Sequence, residues 1–95
     1  MKPLVITGDA ASGKTFVADC ISELTGRGVS KFEAKDFCIL KAHKALTIVE
    51  GGTLSQIAEW INQMNEKNQS RAIVFTTQSR VEKDYFDSSV NVLRL

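Results

Sequence analysis

An octapeptide near the start of the chain, Gly8-Asp9-Ala10-Ala11-Ser12-Gly13-Lys14-Thr15, leaves it few folding options. The segment fits G-x-x-x-x-G-K-[ST] at every position. Its flanks fit as well. Leu4, Val5, Ile6 and Thr7 form a short apolar run that reads as a buried strand, and a helical pattern begins at Lys14. Strand, glycine loop and helix in that order are the context this motif requires. A plain strand-to-helix turn would account for the two glycines but would leave Lys14 and Thr15 unexplained.

Phosphates need donors and positive charge without a wall of side chains. The backbone N–H groups of residues 9–15, those of Asp9, Ala10, Ala11, Ser12, Gly13, Lys14 and Thr15, can curl around them. Gly8 and Gly13 permit the unusual dihedrals and the close approach. The N-terminus of the following helix adds unpaired N–H groups and the positive end of its dipole. Lys14 is expected to reach the terminal phosphates, and the Thr15 hydroxyl to ligate a bridging Mg2+. No guanine-reading N-K-x-D motif is present, so ATP is the expected nucleotide, with another NTP as the alternative.

The rest of the chain alternates elements. Phe16, Val17, Cys20, Ile21 and Leu24 fall on one helical face, and Gly26 follows as a left-handed cap. Val29 to Ala34 reads as a short second strand. Asp36 to His43 reads as a helix capped by Asp36, with Phe37, Leu40 and Lys41 on one face. Ala45 to Val49 is a mostly apolar run ending at Glu50-Gly51-Gly52, expected to be a central buried strand. Thr53 and Gln56 form a capping-box pattern ahead of an amphipathic helix. Its stripe is Leu54, Ile57, Ala58, Ile61 and Met64, with Trp60 at the flank; Trp60 and Met64 read as packing residues. Ala72 to Phe75 is another buried strand leading into Thr76-Thr77-Gln78-Ser79. Arg80 to Ser89 is expected to hold one helical turn, and Val90, Val92 and Leu93 a last strand.

Such alternation predicts an α/β fold with a mainly parallel five-stranded sheet between helix layers, and residues 1–95 as a single domain. Ligands in open sheets of this kind bind beyond the carboxyl ends of the strands. The tips Thr7-Gly8, Glu50-Gly51 and Thr77-Gln78 are therefore expected around one site. Glu50, closing an apolar strand, suits the second metal position opposite Thr15, the alternative being a solvated acidic residue entering the Gly51-Gly52 turn. A small polar residue of the Thr76-Thr77-Gln78 tip could bond the terminal phosphate or the attacking water, although an ordinary strand exit explains these residues equally well.

Charge and composition narrow the partners. A net charge of +1, from 12 basic and 11 acidic residues, gives no global basic field for nucleic acid. Lys41, Lys44, Arg71 and Arg80 could make a local basic rim, and read as readily as scattered solvated charges. No apolar run approaches a membrane span, and no signal peptide is visible. Cys20 and Cys38 share no metal-like spacing with each other or with His43, and a cytoplasmic protein with reduced cysteines is expected. His43 has no partners for a triad and reads as a surface or helix-end residue.

The order of motifs resembles the nucleotide-binding core of AAA+ ATPases and of the related superfamily-three helicases, often found in viruses and phages. The segments that carry the likeness are Gly8–Thr15, Leu40–Glu50, Ile73–Gln78 and Val90–Leu95. The resemblance implies the three-layer P-loop NTPase fold with strand order 5-1-4-3-2, often assembled as a ring. By it, Lys14 and Thr15 bind phosphate and Mg2+, Glu50 sits at the Walker B position, and Thr77 or Gln78 at the sensor-one position. There are departures. The family usually carries aspartate at Glu50, and hydrolytic members often follow it with glutamate, where this chain has Gly51. An arginine finger usually precedes the last strand, where this chain has Asp87-Ser88-Ser89 and Arg80 as the nearest basic residue. The helical lid that normally follows the last strand is expected to be missing.

Three functions remain open on these grounds. The first is Mg2+-dependent NTP hydrolysis, slow alone and helped by a homo-oligomer or a partner protein that supplies the finger, with Lys14, Glu50 and Gln78 in catalytic roles. The second is a non-catalytic nucleotide-binding module that regulates a partner. The third, ranked last, is a small-molecule kinase.

Overall fold

The apolar runs that begin at Leu4, Leu46 and Ile73 each form a buried strand. The computed structural model describes residues 3–9, 13–25, 29–42, 46–66, 72–82, 84–86 and 88–95. The strands are β1 (Leu4–Thr7), β2 (Val29–Glu33), β3 (Leu46–Glu50), β4 (Ile73–Thr77) and β5 (Asn91–Arg94). The helices are α1 (Lys14–Thr25) and α2 (Leu54–Glu66). All ladders are parallel, and the order across the sheet is β2-β3-β4-β1-β5. This is the expected order 5-1-4-3-2 seen from the other edge. The three central strands are the apolar ones, because a parallel strand covered on both faces has no polar side to present.

Side-chain alternation divides the core in two. Leu4, Ile6, Leu46, Ile48 and Val74 pack with Val17, Ala18 and Ile21 of α1. Val5, Val49, Ile73 and Phe75 pack on the opposite face with Ile57, Trp60, Ile61 and Met64 of α2. The fold is thus three layers, α1 on one face of the sheet and α2 on the other. The α2 layer is the aromatic one. Trp60 stacks on Phe75 with centroids 5.8 Å apart and meets the edge of Phe37 at 5.0 Å.

The capping box forms as expected. The Gln56 N–H donates to Thr53 Oγ1 at 3.3 Å, and the Thr53 N–H donates to Gln56 Oε1 at 3.1 Å. This satisfies donors that the helix leaves open. Trp60 and Met64 are buried, as packing residues should be.

The segment after β2 differs from expectation. A helix from Asp36 does not form; two 3-10 turns, Ala34–Asp36 and Ile39–Lys41, stand there instead, and Asp36 ends the first rather than capping a helix. Phe37 and Cys38 between them are extended. The reason lies in packing. Phe37 and Ile39 both enter the α2-side core, and residues two apart cannot share a helical face. Leu40, expected beside Phe37, is 77% exposed. Gly26 and His43 lie outside the described residues. The stretch after β4 makes a short turn in which the Tyr85 N–H donates to the Glu82 carbonyl.

Gly52 shows how tightly α2 closes on the β3 exit. A Cβ there would stand 3.3 Å from Ile57 Cγ1 and 3.5 Å from the Trp60 ring. We predict that Gly52→Ala destabilises the fold by about 1 kcal/mol in a denaturant titration, the cost of overpacking. At Gly51, where φ is +82° and no atom crowds a Cβ, a similar loss is expected from backbone strain alone.

Candidate functional site

The site begins where β1 ends. The Gly8 N–H donates to the Thr77 carbonyl at 3.3 Å, tying the start of the glycine loop to the tip of β4. Ala10, Ala11 and Ser12 lie outside the described residues. Gly13 re-enters with φ of +86°, in the left-handed region that a side chain disfavours. Its carbonyl accepts the first helical bond, from the Val17 N–H at 3.0 Å. Lys14 and Thr15 are thus the first two residues of α1, where backbone N–H groups have no partner within the helix. The first turn of α1 contains no acidic residue, so its positive end is not offset from within the helix.

Two strands away, Glu50 closes β3. Leu46 and Ile48 face α1, and alternation carries Glu50 to that face too. Its Oε1 is buried and has no hydrogen-bond partner among the described residues. A carboxylate oxygen in that state is costly, since it accepts and never donates while ionised. An acceptor without a donor, on the face where the loop helix begins, fits a cation better than it fits the protein around it.

The tip of β4 links the two halves. The Gly51 N–H donates to the Thr76 carbonyl at 3.0 Å and lies 3.3 Å from the Thr76 hydroxyl. With the Gly8 bond, the tips of β3, β4 and β1 are joined in one row. Val74 faces α1, so Thr76 shares that face with Glu50, while Thr77 turns to the α2 side with Phe75. Thr77 is fully buried and its hydroxyl accepts the Ser79 N–H at 3.1 Å. Gln78 is exposed. Of the two tip residues expected from sequence, Gln78 lies open and Thr77 is engaged in the turn. Thr76, the first residue of the expected tip, lies on the Glu50 face, where the period-two pattern from Val74 places it.

Gln78 also lines a cleft of about 580 Å³ with Thr7, Gly8, Asp9, Arg80 and Arg94. Arg94, the last residue of β5, donates to the Val81 carbonyl at 3.3 Å and holds the far wall. Arg94 carries no motif that would mark it, because only the pairing of β5 with β1 brings it there. Arg80 is almost fully exposed and pairs loosely with Glu82 at 3.7 Å. Glu50 does not line this cleft.

On the α1 face of the sheet edge, Lys31 reaches Asp19 of α1 at 2.6 Å. The hydrogen bond to the Asp19 carboxylate, together with the charges of Asp19 and Glu50, outweighs burial and raises the ammonium above its usual 10.5. Stability from this pair is therefore fully present below the unfolded value and is lost as pH rises through the raised folded one. Both side chains are about half exposed, so the loss should stay below about 1 kcal/mol in alkaline denaturation. Asp19→Asn should remove that alkaline component.

Among the described residues, no group of three or more His, Cys, Asp or Glu side chains could hold a metal ion, and no helix is long and apolar enough to cross a membrane. Cys20 and Cys38 are free thiols.

No family model matches the chain, and no curated protein does. Solved structures do. The FIGL-1 AAA domain in complex with ADP superposes with a TM-score of 0.61 at 12% identity, over 99% of this chain and 43% of that one. Rhizobiales Trip13 superposes at 0.50 and 13% identity, over 98% of this chain and 45% of that one. The chain spans less than half the length of either protein. At these identities the likeness is one of fold: the three-layer α/β arrangement of this chain is shared with the FIGL-1 AAA domain.

Proposed function

We propose that this domain binds ATP, or another NTP, with Mg2+ through the Walker A loop Gly8–Thr15, and hydrolyses it slowly. The observation that carries the reading is Glu50, whose buried, partnerless carboxylate oxygen lies on the sheet face where the loop helix begins. The left-handed Gly13 supports it, since the loop motif needs a residue able to adopt that conformation at the helix start. The complex of the FIGL-1 AAA domain with ADP adds support from the fold.

In this reading the loop amides and Lys14 hold the phosphates and stabilise the charge that develops on the transferred group. Thr15, by its hydroxyl, and Glu50, by its carboxylate, would hold the cation. Mg2+ is commonly held this way, by few protein groups plus the phosphates. When bound, it would neutralise charge across the terminal phosphates. Gln78, exposed beside Gly8, orients the attacking water; the Thr77 hydroxyl is committed to Ser79 and secures the turn that presents Gln78. Gly51 follows Glu50 where hydrolytic relatives carry a base, which makes hydrolysis slow and suits a homo-oligomer or partner that supplies an arginine. The lack of a second acid equally favours a non-catalytic regulatory module.

Phosphate release by purified protein with Mg2+ and ATP decides between these. Turnover above the Lys14→Ala background supports the hydrolase, and nucleotide binding without turnover supports the module. Gln78→Ala should lower turnover about tenfold while leaving ATP affinity unchanged, as expected for a residue that acts on the water.

A further inference from the structure

The geometry points to Lys31 as the resident counter-charge of Glu50, held by Asp19, so that these residues set how tightly the site takes a divalent cation. This inference rests on the proposed nucleotide site and concerns its regulation. The β2–β3 register pairs Lys31 with Ile48 and Glu33 with Glu50. Lys31 and Glu50 are therefore diagonal neighbours on the α1 face, a separation that a long side chain can span. The ammonium has three donors and uses one on Asp19 at 2.6 Å. The raised Lys31 value includes a contribution from Glu50, as this placement requires.

One ammonium thus stands between two carboxylates on different elements. Asp19 belongs to α1, whose first residues are Lys14 and Thr15, and Glu50 ends β3. While Lys31 stays with Asp19, Glu50 keeps an unpartnered oxygen for a cation. If Lys31 moves to Glu50, that oxygen is neutralised and the cation is repelled. The Asp19–Lys31 pair thereby holds the site in its cation-accepting state. Glu33, opposite Glu50, is paired with Lys35 at 3.2 Å and leaves Lys31 uncontested.

The two substitutions should act in opposite directions. Removing the charge in Lys31→Met takes away repulsion and should tighten the Mg2+ requirement for binding of a fluorescent ATP analogue about three- to tenfold, less at high salt. Asp19→Asn releases Lys31 to Glu50 and should weaken that requirement by a similar factor. In the double variant the Asp19 effect should nearly vanish, because the ion it releases is gone. Lys31→Arg should stay near the unsubstituted value. Both side chains are about half exposed, so the variants are expected to fold, and a melting curve on each checks it. Magnesium dependence that neither substitution alters, or that both shift the same way, overturns the inference and leaves the nucleotide reading standing. No magnesium-dependent binding in the unsubstituted protein overturns both.

Discussion

Lys14→Ala is expected to weaken ATP binding by about 10- to 100-fold, the worth of a hydrogen bond to a charged group, and to reduce turnover further. Lys14 directly follows the left-handed Gly13 and is the first residue of α1, the position from which the motif's lysine is expected to meet the terminal phosphates. Its charge stabilises the transferred group more than the ground state, so kcat should fall by about 10²- to 10³-fold. An equilibrium titration with a fluorescent ATP analogue, with and without Mg2+, reads the first effect. Unchanged affinity would remove the site assignment altogether. Melting temperature should not fall, because Lys14 begins a helix and alanine has high helix propensity.

Glu50→Gln should have the second largest effect, and its signature is an opposition between function and stability. The substitution keeps shape and volume but removes the charge. If Glu50 orders the water shell of Mg2+, apparent Mg2+ affinity should fall about 10- to 100-fold, as for outer-shell partners of other metals. Binding of the nucleotide without the cation should hardly change. Stability should hold or rise slightly, since the ionised Oε1 is buried without a partner and the amide relieves that cost. A structural carboxylate would behave in the opposite way, losing stability with no effect on the Mg2+ titration. Cation dependence measured beside a denaturant curve separates the two.

The arginine that a ring neighbour would contribute has no counterpart before β5, where Ser88 and Ser89 form a turn. Arg80 stands free of the core beside Gly8 and Asp9, and its position in the cleft gives Arg80→Ala a use as a control. Loss of turnover only at protein concentrations that allow self-association would identify it as a group acting between copies.

Much of the architecture was legible because parallel strands buried on both faces must be almost wholly apolar. The runs Leu4–Thr7, Leu46–Glu50 and Ile73–Thr77 carry that mark, and their pairing follows. The second and last strands were fainter because each lies at an edge, where half the residues meet water. The helix expected from Asp36 to His43 does not form over its described residues, for a different reason. Local propensities permit a helix, but burial of both Phe37 and Ile39 against α2 requires two extended residues between turns. Long-range packing outweighed a weak local preference.

The sequence alone singled out the loop motif: two glycines, a lysine and a threonine at fixed spacing after an apolar strand. It also placed Glu50 at a strand end. Only the tertiary structure decided what surrounds them. Whether a residue at a strand tip faces α1 or α2 depends on the register and on where the strand starts, and one residue reverses it. That is why Thr76 shares the face of Glu50 and Thr77 does not, and why Lys31, distant in sequence, stands diagonal to Glu50 with Asp19 holding it aside.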